Sequence, residues 1–309
     1  MIIVTAGNKY LDIDAYASCI AYVHLLNNTG KKAMFCSSAI TNASVPNYLI
    51  AKEYTHATDY IHQDDDTYII LDVSNPEFID RIVNPDNIEE IIDHHLGHES
   101  YWSDKNTNCK VEFIGSVATI IYEKYVKANR TDLLNPYICS LLTAAILDNT
   151  LNLKSTITSP RDIEAYKELK RIGQLDVDFD RDYFLSCQQG INNNVVLSIK
   201  NDIKQEYVSD LLPTIFGQVT VYDTDPIFEQ IKQIEELFNE FEKPWLLNII
   251  CIQDGKSYIY TSNKVAKENL TKLFDASFIE NTLTLNKFML RKEIMKFARS
   301  KKEKSLTIK

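Results

Sequence analysis

Ile88-Glu89-Glu90-Ile91-Ile92-Asp93-His94-His95 is the stretch on which the fold turns. IEEIID reads as a short β-branched strand that ends on an acid, and two adjacent histidines follow it. Working outward, TYIILDV at 67–73 repeats the plan, with Asp72 at the end of its apolar run. MIIVTAG at 1–7 is a third β-branched run, and the turn behind it, GNKYLDID, carries Asn8, Asp12 and Asp14. Ala33 to Cys36 reads as a further strand. Helical patterns stand between and after these runs: Asp14 to Leu26, ATIIYEKYVKA behind a Ser116 N-cap, Pro136 to Leu147, and Pro160 to Ile172 with proline near its start. The alternation predicts an α/β fold, a parallel sheet with helices on both faces. Such a sheet carries its chemistry beyond the carboxyl ends of its strands. Asp12, Asp72 and Asp93 all fall there.

The residue types at those ends suit a divalent cation. Hard cations need several oxygen ligands, so acids from separate segments fit them. Asp12 and Asp14 face one point if their turn bends sharply; the same pair also fits a helix cap beside a turn residue. Asp72 alone is compatible with a turn former. Asp93-His94-His95 is the more specific signal, because histidine is the commonest metal ligand and His98 lies three residues on. Asp148 follows the apolar helix TAAIL, where an acid opposes the helix dipole unless a cation pairs with it. Four acids plus His94 could hold two metals about 3.5–4 Å apart, with Asp72 as the bridge and a metal-activated water as nucleophile. Lys and Arg residues, from the second domain, would then neutralise the outer phosphoryl oxygens.

The chain of 309 residues is long for one core. Its texture changes near Leu185, where SCQQGINNN (186–194) reads as a hinge. The expected domains are 1–187 and a smaller α/β unit at 188–309, with strands at Gln218 to Tyr222, Trp245 to Ile252 and Ser257 to Thr261 and an amphipathic helix at Ile227 to Phe241. The basic end, ARSKKEKSLTIK, reads as a fraying tail. A net charge of −10 argues against nucleic-acid binding. No run is long enough to span a membrane, MIIVTAGN reads as a strand and not as a signal peptide, and the six scattered cysteines suit a reducing compartment; a cytoplasmic protein is expected.

Taken in order, Asp-x-Asp, strand-end Asp, Asp-His-His and a later Asp resemble the DHH phosphoesterase superfamily. The resemblance runs nearly end to end and is closest to the branch of manganese-dependent (family II) inorganic pyrophosphatases and exopolyphosphatase/prune proteins. GSVATIIYEKY (115–125), ILDNTLNLKS (146–155), FGQVTVYD (216–223) and LRKEI (290–294) look like later segments of that branch. The resemblance implies two divalent cations, Mn²⁺ or Mg²⁺. Asn8, Asp12 and Asp72 would hold one, and Asp14, Asp72, His94 and Asp148 the other. His95 would donate a hydrogen bond or proton to the substrate, and Asp93 would orient a neighbour. Lys204, Arg291 and Lys292 would bind phosphates, with the hinge closing over them. The implied activity is hydrolysis of pyrophosphate or polyphosphate, with a homodimer as a candidate assembly.

Some positions depart from the branch. Family II pyrophosphatases carry His where Asn8 stands, Pro where Leu11 stands, and Asp-His-Asn where this chain has Asp72-Val73-Ser74. Asn in the first motif is the habit of exopolyphosphatase and prune proteins. An amide in place of an imidazole removes a nitrogen ligand and makes Mg²⁺ more competitive. Leu290 and Glu293 replace a Ser and a Lys of the terminal motif. Two other readings stand beside hydrolysis of inorganic phosphates: a phosphoesterase acting on a small nucleotide, and a non-catalytic regulatory relative.

Overall fold

The computed structural model describes residues 1–50, 55–56, 60–105 and 107–306, with side chains throughout except at 55–56 and 302–306. It divides into two compact units, Met1–Tyr183 and Phe184–Lys309.

In the first unit the elements run β1 (Ile2–Thr5), α1 (Ile13–Asn27), β2 (Ala33–Ser37), β3 (Thr55–His56), β4 (Thr67–Leu71), β5 (Ile88–Asp93), α2 (Glu99–Asp104), β6 (Cys109–Val111), α3 (Val117–Lys127), α4 (Pro136–Asn149), α5 (Pro160–Gly173) and the start of α6 (Phe179–Asn192). The six strands form one sheet in the order β3-β2-β1-β4-β5-β6. Every pairing is parallel. The chain lays strands to one side of β1 and then returns to its other side with β4. That reversal opens a crevice at the carboxyl ends of β1 and β4, the usual ligand position in open parallel sheets.

Residues that alternate along the strands separate the two faces. Phe35 meets Tyr16 of α1 edge-on, with ring centroids 5.9 Å apart. Ile3, Cys36, Tyr68, Ile70 and Ile91 point the other way and pack with Ile79, Ile82, Val83 and Trp102 of the crossover turns and α2. The helices start where side chains satisfy their first N–H groups. Asp12 caps α1, Ser116 caps α3 and Asn135 caps α4 with Pro136 next to it. Ser159 and Asp162 form a reciprocal capping box on α5.

The second unit contains α7 (Val195–Asp202), β7 (Lys204–Gln205), β8 (Ile215–Val221), α8 (Asp225–Glu229), α9 (Ile231–Asn239), β9 (Trp245–Cys251), β10 (Lys256–Tyr260), α10 (Lys264–Phe274), β11 (Thr282–Leu285) and α11 (Arg291–Leu306). Its mixed sheet has the order β11-β10-β9-β8-β7, with only the β8–β9 pair parallel. The central strand β9 is buried along its whole length. Trp245, Leu247 and Ile249 pack with Ile199, Ile234 and Phe238, while Leu246 packs with Ala266, Leu270 and Ile294.

Three expectations take a different form. The polar stretch at 186–194 is helical as far as Asn192, because α6 runs across the unit boundary. The helix expected from Ile227 to Phe241 comes in two pieces that meet at Gln230. The basic end continues α11 to Leu306, and residues 307–309 lie outside the described residues. No helix among the described residues is long and apolar enough to cross a membrane.

Candidate metal centre

The site begins one residue beyond β4. Asp72 adopts a left-handed backbone with φ 62°. Aspartate is among the few residues that visit this region, at a cost of order 1 kcal/mol. Its N–H donates to Ile92 O at 2.8 Å, which ties it to the end of β5. Its side chain is only 5% exposed, and Oδ1 is buried without a hydrogen-bond partner. Two imidazole nitrogens face that oxygen: His94 Nε2 at 3.3 Å and His95 Nδ1 at 3.9 Å. Asp72, His94 and His95 each offer a ligand atom within 4.8 Å of the others.

Hydrogen bonds decide what those rings present. His94 Nδ1 lies 3.0 Å from Ile114 O. A carbonyl only accepts, so Nδ1 carries the proton, and whenever the ring is neutral Nε2 presents a lone pair toward Asp72. With Asp72 ionised, a lone pair and a carboxylate oxygen then point at one another, which is the arrangement a cation resolves. Asp93 is fully buried and works differently. Its Oδ1 accepts from His94 N at 2.7 Å, His95 N at 3.1 Å and His95 Nδ1 at 2.8 Å. Burial opposes its ionisation, but the hydrogen bonds and charge of His95 outweigh that and hold the carboxyl below the usual range. Asp93 thus fixes the loop and holds His95 by Nδ1, and the His95 side chain is 61% exposed.

Of the other predicted acids, Asp12 and Asp14 neighbour Asp72, and Asp148 neighbours Asp12 and Asp14, while the close group itself is Asp72, His94 and His95. Burial first, then the charges of Asp12, Asp14 and Asp93, push the Asp72 carboxyl well above the usual carboxylate range. Asp12 is raised by burial too, against the bond from Ala15 N at 3.0 Å. Asp148 is pushed up to about 7 by burial, with Asp12 and Asp14 adding to the rise and Tyr183 opposing it. Asp14 is pushed up to about 6 by burial, although it accepts from Ser116 Oγ at 2.8 Å, Val117 N at 2.9 Å, Ala118 N at 2.9 Å and Asn149 Nδ2. Asp14 therefore anchors the N-terminus of α3, and any cation it touched would share it with that helix. Asn8 donates its amide to Glu77 O at 3.0 Å, which leaves its carbonyl oxygen as the atom for a ligand.

The predicted cations of the second unit differ among themselves. Lys204 and Lys292 are exposed. Arg291 is largely buried, its guanidinium paired with Asp202 and lying over the Phe216 ring 5.3 Å from the centroid. Glu293 accepts from Leu290 N at 2.7 Å and so closes the first turn of its own helix. Sequence reasoning missed Asn149 and Tyr183, which bond Asp14 and Asp148. Asn149 stood next to a motif acid, but Tyr183 has no local signal because its partners lie 35 and 139 residues away.

The donor set fits a divalent cation: clustered buried acids that burial pushes toward the neutral form, a carboxylate oxygen without a donor, and an imidazole lone pair aimed at it. Fold and site together define a metal-binding α/β protein of the strand-end type. Residues 2–146 match the sequence profile of the DHH family, N-terminal domain. The chain is 24% identical over 295 residues to a Bacillus licheniformis protein named a probable manganese-dependent inorganic pyrophosphatase, covering 93% of this chain and 94% of that one. An Oceanobacillus iheyensis protein of the same name is 25% identical over 233 residues, 75% of this chain and 74% of its own. The fold is similar to that of a provisional family II inorganic pyrophosphatase of Methanococcus jannaschii, with TM-score 0.65, 21% identity and coverage of 96% and 99%. It is also similar to an exopolyphosphatase-related protein of Bacteroides fragilis, with TM-score 0.55, 15% identity and coverage of 99% and 93%.

Proposed function

We propose that this protein hydrolyses phosphoanhydride bonds of inorganic pyrophosphate or polyphosphate with the help of divalent cations. The observation that carries the reading is the buried Asp72 Oδ1 facing His94 Nε2 at 3.3 Å, with Asp12, Asp14 and Asp93 as its acidic neighbours. The relatives named as manganese-dependent inorganic pyrophosphatases support it over most of the chain's length.

Asp72 and His94 would hold a cation, with Asn8, Asp12, Asp14 and Asp148 completing two sites. Bound there, divalent cations supply the positive charge that acidifies a water and neutralises phosphoryl oxygens. His95 is suited to move a proton at Nε2 toward the leaving phosphate. Its Nδ1–H is committed to Asp93 at 2.8 Å, and that carboxylate steadies the ring's positive charge while Nε2 carries a proton. Lys204, Arg291 and Lys292 are the proposed phosphate-binding cations, and Arg291 would exchange the Asp202 carboxylate for a substrate oxygen. The Asn8 carbonyl, a harder ligand than imidazole, favours activity with Mg²⁺ beside Mn²⁺.

The experiment is phosphate release from pyrophosphate, tripolyphosphate and long-chain polyphosphate with Mn²⁺ or Mg²⁺. Release from at least one of them, lost in His94→Ala, is expected. Three intact substrates in the presence of bound metal would refute the proposal.

A further inference from the structure

Tyr183 is fully buried, and its hydroxyl stands between two acceptors: Asp148 Oδ1 at 3.0 Å and Ser44 O at 2.9 Å. A phenol has one proton and cannot donate to both at once. An ionised carboxylate is the stronger acceptor, so the proton goes to Asp148 when that group is charged. Ser44 does more than offer a carbonyl. Its Oγ accepts the N–H of Ile13, the residue between Asp12 and Asp14, at 2.9 Å and donates to Asn42 Oδ1 at 2.7 Å. The N–H of Asn42 in turn donates to Leu11 O at 2.9 Å. One relay therefore joins the acid at the end of α4 to the turn that carries the first two acids. Asp148 lies in the last turn of α4, where the helix carbonyls concentrate negative potential. A donor there fixes the direction in which the carboxyl points.

We propose that Tyr183 is a positioning residue of the metal centre, its hydroxyl holding the Asp148 carboxyl oriented and in register with the Asp12–Asp14 turn. The inference rests on the metal-centre reading, with Asp148 as a ligand. Tyr183 bonds Oδ1 of the carboxyl and acts through it.

The test titrates metal-stripped protein with Mn²⁺ by calorimetry for wild type, Tyr183→Phe, Asp148→Asn and the double variant. Phenylalanine keeps the ring that fills the buried slot and deletes the hydroxyl alone. Tyr183→Phe is expected to weaken Mn²⁺ binding about 10–100-fold, and to add no further loss in the Asp148→Asn background. An unchanged affinity in Tyr183→Phe overturns the proposal, and so does an equal further loss in the double variant, as a merely structural tyrosine would give. 3-Fluorotyrosine at position 183 keeps the ring and makes the hydroxyl a better donor; Mn²⁺ affinity at or above wild type is expected, and a fall overturns the proposal. If Asp148→Asn alone leaves Mn²⁺ affinity unchanged, the assignment of Asp148 as a ligand fails, and this inference with it. If Asp148→Asn weakens binding and Tyr183→Phe does not, only the role of Tyr183 fails.

Discussion

Asp72 combines three costs in one residue: a left-handed backbone, a buried carboxylate oxygen without a donor, and three neighbouring acids. Such costs persist where a ligand offsets them. Asparagine tolerates the same backbone region and carries no charge. Asp72→Asn is therefore expected to raise the melting temperature of the metal-free protein while removing the rise that Mn²⁺ gives the wild type, both read by thermal denaturation. His95 makes a different prediction, because its outer nitrogen serves the substrate in this account and Asp93 sets its angle. His95→Gln is expected to lower kcat by about 10²–10⁴ with Mn²⁺ content unchanged, checked by steady-state kinetics beside elemental analysis. The sequence made Asp72, Asp93, His94 and His95 legible because each lies at or just beyond a strand end. Spacing alone did not separate ligand from support, a distinction that only the resemblance implied, since it depends on which ring nitrogen meets which acceptor. Ile114 O faces His94 Nδ1 and Asp93 faces His95 Nδ1, and Ile114 lies 20 residues from His94.

Elements hold the acids in place through helix starts. Asp12 caps α1, and Asp14 reaches past its own helix to cap α3, joining segments 102 to 104 residues apart. The approach of α3 to α5 is close at Gly115. A Cβ there would stand 2.6 Å from Thr150 Cγ2 and 2.7 Å from Asp162 Oδ2, while the Gly115 N–H donates to that same Asp162 oxygen at 3.0 Å. Gly115→Ala is expected to destabilise the protein by about 1–3 kcal/mol, measured as a lowered denaturant midpoint. It should also disturb Asp14, because Ser116 and Val117 follow directly. The strands and long helices of the first unit were legible from apolar runs and capping residues. β6, three residues long, was not: Cys109–Val111 carries no alternating pattern and forms only because β5 offers it a parallel edge. The helical nature of 186–194 was hidden for a related reason. Its polar residues suggest a hinge, whereas Gln188 is buried and accepts from Tyr222 N at 2.6 Å and Asp223 N at 3.0 Å within the second unit.

At the scale of the whole molecule, the acid cluster makes stability depend on pH and on metal. Asp14 and Asp148 titrate near 6 and 7 in the folded protein, and Asp12 and Asp72 are also raised, all with burial as the leading cause. The folded state thus keeps protons that the unfolded chain has lost above about pH 4. Between about pH 4 and 7, metal-free protein is expected to lose stability as pH rises. Asp66 and Asp93 are lowered and act in the opposite sense, removing stability as pH falls through the carboxylate range. Denaturant midpoints across pH 4–8, with and without Mn²⁺, check this: the metal-free protein should weaken toward neutral pH and the Mn²⁺-loaded protein should not. The most direct measurement of the central claim follows phosphate release from pyrophosphate and polyphosphate while metal-stripped protein is titrated with Mn²⁺. The account predicts two ions bound per chain, hydrolysis appearing as the sites fill, and loss of both in Asp72→Asn. Hydrolysis without bound metal, or Mn²⁺ binding indifferent to Asp72, would contradict it.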